Sequence, residues 1–152
     1  AELIEACKSS LERLYTCREN LDFMLGKAVG SDEALSGKAA AALAKFDKAM
    51  DDDLNTADAL AALFELAREI NTLAPKASPA ALAAASSAFD GITGVLGLLY
   101  NRKTDETPAE VTALVEQRAA AKKAKDWPIR ARLAGMGWAV EDTPQGPKVS
   151  RV

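Results

Sequence analysis

Apolar residues recur at helical spacing through roughly the first hundred positions and change to alternation only near the end of the chain. The first stretch predicts a helix from about Glu2 to Leu25. Ile4, Cys7, Leu11, Leu14, Leu21 and Leu25 follow an alternating three-four spacing there, interrupted by Arg18. Gly26 to Gly37 is small and polar, a loop in which Gly26 and Gly30 suit helix-stop roles. A second helix, about Gly37 to Met50, presents Leu43, Phe46 and Met50.

Residues 46–71, FDKAMDDDLNTADALAALFELAREIN, organise the rest. Asp51, Asp52 and Asp53 read as a turn whose charge suits the start of the following helix, and Leu54 reads as an apolar anchor. Thr56 or Asn55 can accept from the first free amides of a third helix, about Ala57 to Leu73. Leu60, Leu63, Phe64, Ala67 and Ile70 define its buried face, and Pro75 ends it. Ser78-Pro79 then starts a fourth helix carrying Leu82, Phe89, Ile92, Leu96 and Leu99. The expectation is an antiparallel bundle of about four helices with Phe46, Leu60, Leu63, Phe64 and Leu96 in one core.

After a polar linker at Asn101 to Thr107 the pattern changes. Pro108 opens a helix with Val111, Leu114, Val115 and Arg118 that runs into Ala-Ala-Ala-Lys-Lys-Ala-Lys and breaks at Asp126-Trp127-Pro128. A short helix follows, Ile129 to Met136, with Ile129 and Leu133 on one face. Trp138, Val140 and Asp142 alternate with Ala139 and Glu141 as a strand, Thr143 to Pro147 turns, and Lys148 to Val152 returns. The fold class is therefore mainly α, with a helical bundle over 1–107 and a small α/β appendage with a β-hairpin over 108–152.

The composition fits this reading: 49% of the 152 residues are hydrophobic but only 5% aromatic, which suits close-packed helices. No run of about 18 apolar residues suggests a membrane span, and the amphipathic, acid-bearing N-terminus is unlike a secretory signal. The absence of an initiating Met hints at a piece of something longer. Cys7 and Cys17 lie about 15 Å apart along one predicted helix, too far for a disulfide, and fit a reducing cytoplasm. There is no histidine, which removes the commonest general base and metal ligand. The net charge of −3 conceals a division: residues 1–107 hold 11 Lys+Arg against 17 Asp+Glu, and residues 108–152 hold 8 against 5. Attraction for a polyanion therefore belongs mainly to the tail.

Two clusters invite functional readings that the pattern disfavours. Gly91, Gly94 and Gly97 lie inside an amphipathic helix without the order of a phosphate-binding loop, so close helix–helix approach is expected. Asp51 to Asp53 invite a Mg²⁺ reading, but consecutive side chains diverge and no further ligand is near in sequence, so turn and cap roles are expected. The tail is different. From Arg118 to Arg132 there are six cations, Arg118, Lys122, Lys123, Lys125, Arg130 and Arg132, with one acid and Trp127 among them. Cations to follow phosphates and an aromatic face for an unstacked base are what RNA requires. A solvated Lys-rich helix with a core tryptophan is the alternative. Asp142 can accept from base amino groups, or bond backbone amides in the Thr143-Pro144 turn.

Asp52-Asp53-Leu54-Asn55-Thr56 before an amphipathic helix resembles the helical bundle behind the catalytic domain of cysteinyl-tRNA synthetases. Ala121-Lys122-Lys123-Ala124-Lys125-Asp126-Trp127 and Glu141-Asp142-Thr143-Pro144-Gln145-Gly146 resemble that family's C-terminus in the same order. With Ser10-Leu11-Glu12-Arg13-Leu14-Tyr15, the resemblance runs over nearly the whole chain. It implies a bundle facing the tRNA stem and a tail that reads the anticodon of a cysteine-specific tRNA. By position in the matched motifs it assigns Lys122, Trp127 and Asp142 to the anticodon. Arg118, Lys123, Lys125, Arg130 and Arg132 are the expected phosphate contacts.

One departure stands out. After Lys-Asp-Trp the family typically has Ala-x-Ala-Asp-x, whereas Trp127-Pro128 runs directly into Ile129-Arg130. About four residues, one helical turn, are missing, an anticodon-facing Asp among them. The class I nucleotide-binding signatures and the Cys/His zinc site of the family are also absent. The implied identity is a C-terminal portion without catalytic residues or cofactor of its own, with ATP, Mg and Zn belonging to the full-length enzyme. The catalytic domain of that enzyme is the second expected partner, and no membrane is involved. A related cysteine ligase of mycothiol synthesis resembles the bundle but has no use for an anticodon-reading tail. A helical protein-interaction module with a solubilising basic tail is the other alternative.

Overall fold

The computed structural model describes the backbone of residues 2–102, 108–123 and 129–151, and their side chains apart from those of 121–123 and 129–131. Contacts divide the chain into Ala1–Arg102 and Lys103–Val152. The first unit holds α1 (Glu2–Leu25), α2 (Ala34–Asp51), α3 (Thr56–Leu73), a 3-10 turn at Ala74–Lys76 and α4 (Pro79–Val95). The second holds α5 (Ala109–Lys123), α6 (Ile129–Gly135), β1 (Trp138–Thr143) and β2 (Gly146–Arg151). The mainly helical fold with a terminal hairpin is as expected from the pattern.

In the first unit α2 packs most extensively, against both α3 and α4, while α1 lies against α3 and α4. Lys45–Glu65 and Lys38–Glu69 ion pairs show that α2 and α3 run antiparallel. The core is built from Leu14, Leu21, Leu35, Phe46, Leu63, Leu66, Ile70, Leu82, Phe89 and Ile92, with many alanines between them. Those small side chains let the helices approach closely.

Several expected faces are rotated. Ala59, Ala62, Leu63, Leu66, Ala67 and Ile70 are the buried side of α3; Leu60 is exposed and Phe64 is half-buried, with the Arg13 guanidinium 5.8 Å from its ring centre. Leu96 is likewise only partly buried. On α2 the helix begins three residues earlier than expected, so Leu35 enters the core and Leu43 faces solvent. On α1 the buried positions are Leu14, Cys17, Arg18 and Leu21, whereas Ile4 and Leu11 are exposed. Arg18, apparently an interruption of the stripe, is 7% exposed.

Arg18 is tolerated there because it is paired. Its Nε and Nη2 donate to Asp90 Oδ1 and Oδ2 on α4 at 2.8 and 3.0 Å. Nη1 lies 3.0 Å from Asp22 Oδ1, within ion-pair range but off hydrogen-bond alignment. Arg102 closes the group with Nη2 3.0 Å from Asp22 Oδ2 and Nη1 3.7 Å from Asp90 Oδ1. Burial also pushes the neighbouring Cys17 thiol up to about 11, with the Arg18 charge acting the other way.

The connections correct two expectations and decide a third between its alternatives. Asp51 is the last residue of α2 and Asp52 its C-cap, so this charge adjoins a helix C-terminus; Asp58 is the acid in the first turn of α3. Asp53 and Leu54 both take positive φ, 56° and 58°, which turns Leu54 outward and leaves it 66% exposed instead of anchored. Asn55 caps α3, its Oδ1 accepting from the Asp58 amide at 3.2 Å.

The glycines also act differently. Gly91 and Gly94 have open space where a side chain would stand, so they mediate no close helix approach. Gly97, at φ +66°, ends α4 in a Schellman arrangement: Leu98 donates to Thr93 O and Gly97 to Gly94 O. Gly30 is the position of close approach. The Asp32 amide donates to Lys76 O at 3.1 Å and the Ser78 amide to Asp32 O at 2.9 Å, pressing the α1–α2 loop against the segment before α4. A side chain at Gly30 would collide with the Lys76 and Ala77 carbonyls.

The second unit has its own small core: Val111, Leu114 and Val115 of α5 and Leu133 of α6, with Trp138, Val140 and Val149 from the hairpin. β1 and β2 pair antiparallel from Trp138↔Arg151 to Thr143↔Gly146 around a two-residue loop at Pro144 and Gln145. A lone hairpin is marginal in water; here one side rests on the two helices. The expected break at Asp126-Trp127-Pro128 lies outside the described residues.

Two stability measurements test this packing. Gly30→Ala should destabilise by about 1–3 kcal/mol through overpacking, while Gly91→Ala, in an open helical position, should stabilise by about 0.5–1 kcal/mol. Equal effects in thermal melts would contradict the assigned close approach. Asp90→Ala should cost about 1–3 kcal/mol by leaving the Arg18 fork without its carboxylate, and an unchanged denaturation midpoint would show that the pair carries no stability.

Candidate nucleic-acid interface

The tail residues are positioned by two periodicities. Val111, Leu114 and Val115 form the core side of α5, and Arg118 follows Val115 at three residues on that side. Along β1, Trp138 and Val140 face the core, and alternation puts Asp142 on the same side. The two patterns meet beyond the apolar contact. Arg118 Nη1 and Nη2 donate to Asp142 Oδ1 and Oδ2 at 2.7 and 2.9 Å, a bidentate pair.

The Arg118 side chain is 15% exposed and that of Asp142 is 42% exposed. The hydrogen bond from Arg118 to Asp142 raises the already high pKa of the guanidinium, partial burial opposes this, and the carboxylate charge adds to it. The arrangement presents an oriented carboxylate beside a cationic helix end. Arg118 has two nitrogens committed to that carboxylate, an arrangement its sequence position alone did not indicate.

Lys122 and Lys123 are the last two residues of α5, one turn beyond Arg118. Arg130 lies in α6, and Arg132, on the same helix, is exposed next to the buried Leu133. Lys125 and Trp127 lie outside the described residues. Among the assigned residues, the described geometry brings Arg118 and Asp142 together.

Lys148 was not anticipated: it is 8% exposed, opposite Glu141 in the ladder. Alternation with Val149 would have assigned it to the solvent side, so no sequence signal marked it. Thr143 Oγ1 donates to Gly146 O at 2.6 Å and closes the hairpin next to Asp142. Asp142 therefore sits at the end of a braced strand.

Among the described residues no group of three or more His, Cys, Asp or Glu side chains is arranged to hold a metal ion, the Asp51–Asp53 turn included. No helix among the described residues is long and apolar enough to cross a membrane.

Residues 45–100 match the DALR domain family, from the end of α2 through α4. The chain is 42% identical to the cysteine–tRNA ligase of Caldicellulosiruptor saccharolyticus over 160 aligned positions, covering 99% of this chain and 34% of the relative. It is 37% identical to that of Symbiobacterium thermophilum with the same coverage. It is 41% identical to that of Salmonella agona, over 95% of this chain and 32% of the relative. The similarity thus extends past the DALR domain into the hairpin unit. The chain carries a DALR domain and is homologous, along 95–99% of its length, to cysteine–tRNA ligases, of which it spans about a third.

Proposed function

We propose that this chain is the tRNA-binding C-terminal portion of a cysteine–tRNA ligase. In this reading residues 1–107 lie toward the tRNA stem and residues 108–152 toward the anticodon of a cysteine-specific tRNA, in the cytoplasm. The remaining portion of the enzyme activates cysteine with ATP. The carrying observation is that similarity to cysteine–tRNA ligases covers 99% of the chain, although the DALR match ends at residue 100. A bundle shared with another ligase would not account for the tail.

Within the tail, Lys122, Lys123, Lys125, Arg130 and Arg132 supply cations for phosphates. Trp127 supplies a stacking face and Asp142 accepts from bases. Arg118 takes a different role from simple phosphate binding. Its fork holds Asp142 at 2.7 and 2.9 Å, so it positions the reading carboxylate. A planar bidentate pair restricts both groups, which limits the side-chain entropy lost when a base arrives.

Binding of transcribed tRNA across a salt series tests the assignment. Lys122→Ala or Lys123→Ala should each reduce the salt slope by about 0.7, the value per contact for a single strand. Trp127→Ala should weaken binding by about 1–3 kcal/mol with little change in slope. Absence of salt-dependent tRNA binding by the folded chain would overturn the reading.

A second comparison separates Arg118 from the lysines. Arg118→Gln and Asp142→Asn should both lower anticodon selectivity while leaving the salt slope unchanged, because in this reading neither residue binds a phosphate. A slope reduced by about 0.7 in Arg118→Gln, with selectivity intact, would return Arg118 to the phosphate contacts.

A further inference from the structure

The first half of α1 buries no side chain in the bundle, although Arg13 at its end lies over the Phe64 ring. The earliest buried residue of this 24-residue helix is Leu14, and every residue from Glu2 to Arg13 is exposed except the half-buried Ser10. Yet that half carries an apolar stripe. Ile4, Cys7 and Leu11 continue, at the same three-four spacing, the positions Leu14, Arg18 and Leu21 that the bundle buries. Leu3 and Ile4 are 77% and 71% exposed. This half of α1 propagates from the buried half and leaves an apolar surface open to a partner.

A second exposed apolar element lies toward the same end. Arg13 sits over Phe64, and Cys17 Sγ donates to Ala67 O at 3.8 Å, so α1 and α3 run in the same direction in near-constant register. The α2–α3 turn, which precedes α3, therefore belongs to the end where α1 begins. There Leu54 is held outward by consecutive positive φ values at Asp53 and Leu54. That is a costly conformation for a branched side chain, and it leaves Leu54 66% exposed. Leu60, one turn into α3, is exposed as well.

We infer that Leu3, Ile4, Cys7 and Leu11 of α1, with Leu54, form the docking surface for the remaining part of the cysteine–tRNA ligase polypeptide. The inference rests on the proposed membership of this chain in such an enzyme. About two-thirds of each relative's length lies outside the matched segment, which supplies a covalently linked partner large enough to cover the face. RNA is a poor occupant: Glu2, Glu5 and Glu12 outnumber Lys8 and Arg13 along this half-helix, and the stripe offers no cation to a phosphate.

The two cysteines provide the probe, since Cys7 is exposed within the stripe and Cys17 is buried. Alkylation at each thiol, located by peptide mass mapping, is compared between this chain and the ligase-length polypeptide that contains it. Cys7 should react at the rate of a free thiol in the chain and at least tenfold more slowly in the longer protein, while Cys17 stays unmodified in both. Ile4→Lys should leave the melting temperature of the chain unchanged and restore Cys7 reactivity in the longer protein. Equal Cys7 reactivity in the two proteins overturns the inference, even if tRNA binding holds. Cys7 protection in a longer protein that fails to bind tRNA supports the surface and overturns the function proposed above. A chain that sediments as a dimer with Cys7 already protected makes a second copy the occupant and overturns the assignment. An upstream reading frame without ligase sequence does so too.

Discussion

A buried guanidinium must have its charge met, and the first unit is arranged around meeting one. Arg18 is 7% exposed between α1 and α4, and Asp90 receives it with two aligned hydrogen bonds. Apolar contacts between alanine-rich helices permit sliding and rotation at little cost. A planar fork on a carboxylate does not, because a displacement of one turn would take the buried guanidinium away from the Asp90 carboxylate. The pair therefore sets the register of α1 on α4. Arg102 reaches Asp22 and Asp90 from beyond α4 and ties the end of the unit to the same point.

Backbone geometry complements that pair at the loops. The segment around Gly30 and Asp32 runs directly against Lys76 to Ser78, joined by two amide–carbonyl bonds. Only a residue without a side chain fits Gly30 at that distance. At the opposite end, Asp53 and Leu54 adopt the left-handed region between two helices that are themselves well anchored by Phe46, Ala49, Ala59 and Leu63. Strain in the turn persists because the flanking packing leaves the chain no other path.

The second unit handles charge in a related way. Its basic character suits RNA, but Arg118 is engaged with Asp142, and Lys148 is largely buried in the hairpin. A tail whose cations were all free would bind any polyanion. Under the function proposed above, commitment of an arginine to an acceptor turns part of that general attraction into an oriented carboxylate of the kind that discriminates between bases. In the proposed tRNA-binding reading, positioning and base reading are divided between Arg118 on α5 and Asp142 on β1.

Helix number, the hairpin and the change of character after residue 101 follow from periodicity, because burying an apolar stripe requires the repeat to match the element. The resemblance to cysteine–tRNA ligases was legible in the acidic turn and the two tail motifs, because these are local strings, and it agrees with relatives aligned along 95–99% of the chain. The sequence by itself could not say how far round a helix its buried face extends: Leu60 and Leu63 look equivalent on α3, and only the positions of α1, α2 and α4 bury one and expose the other. Nor could it separate Ile4 and Leu11, which the bundle leaves uncovered, from Leu14 and Leu21, which it covers. Arg18 and Arg118 acquire their roles from Asp90 and Asp142, residues 72 and 24 positions away. Long-range pairing of this kind depends on which surfaces meet, and tertiary packing alone decides that.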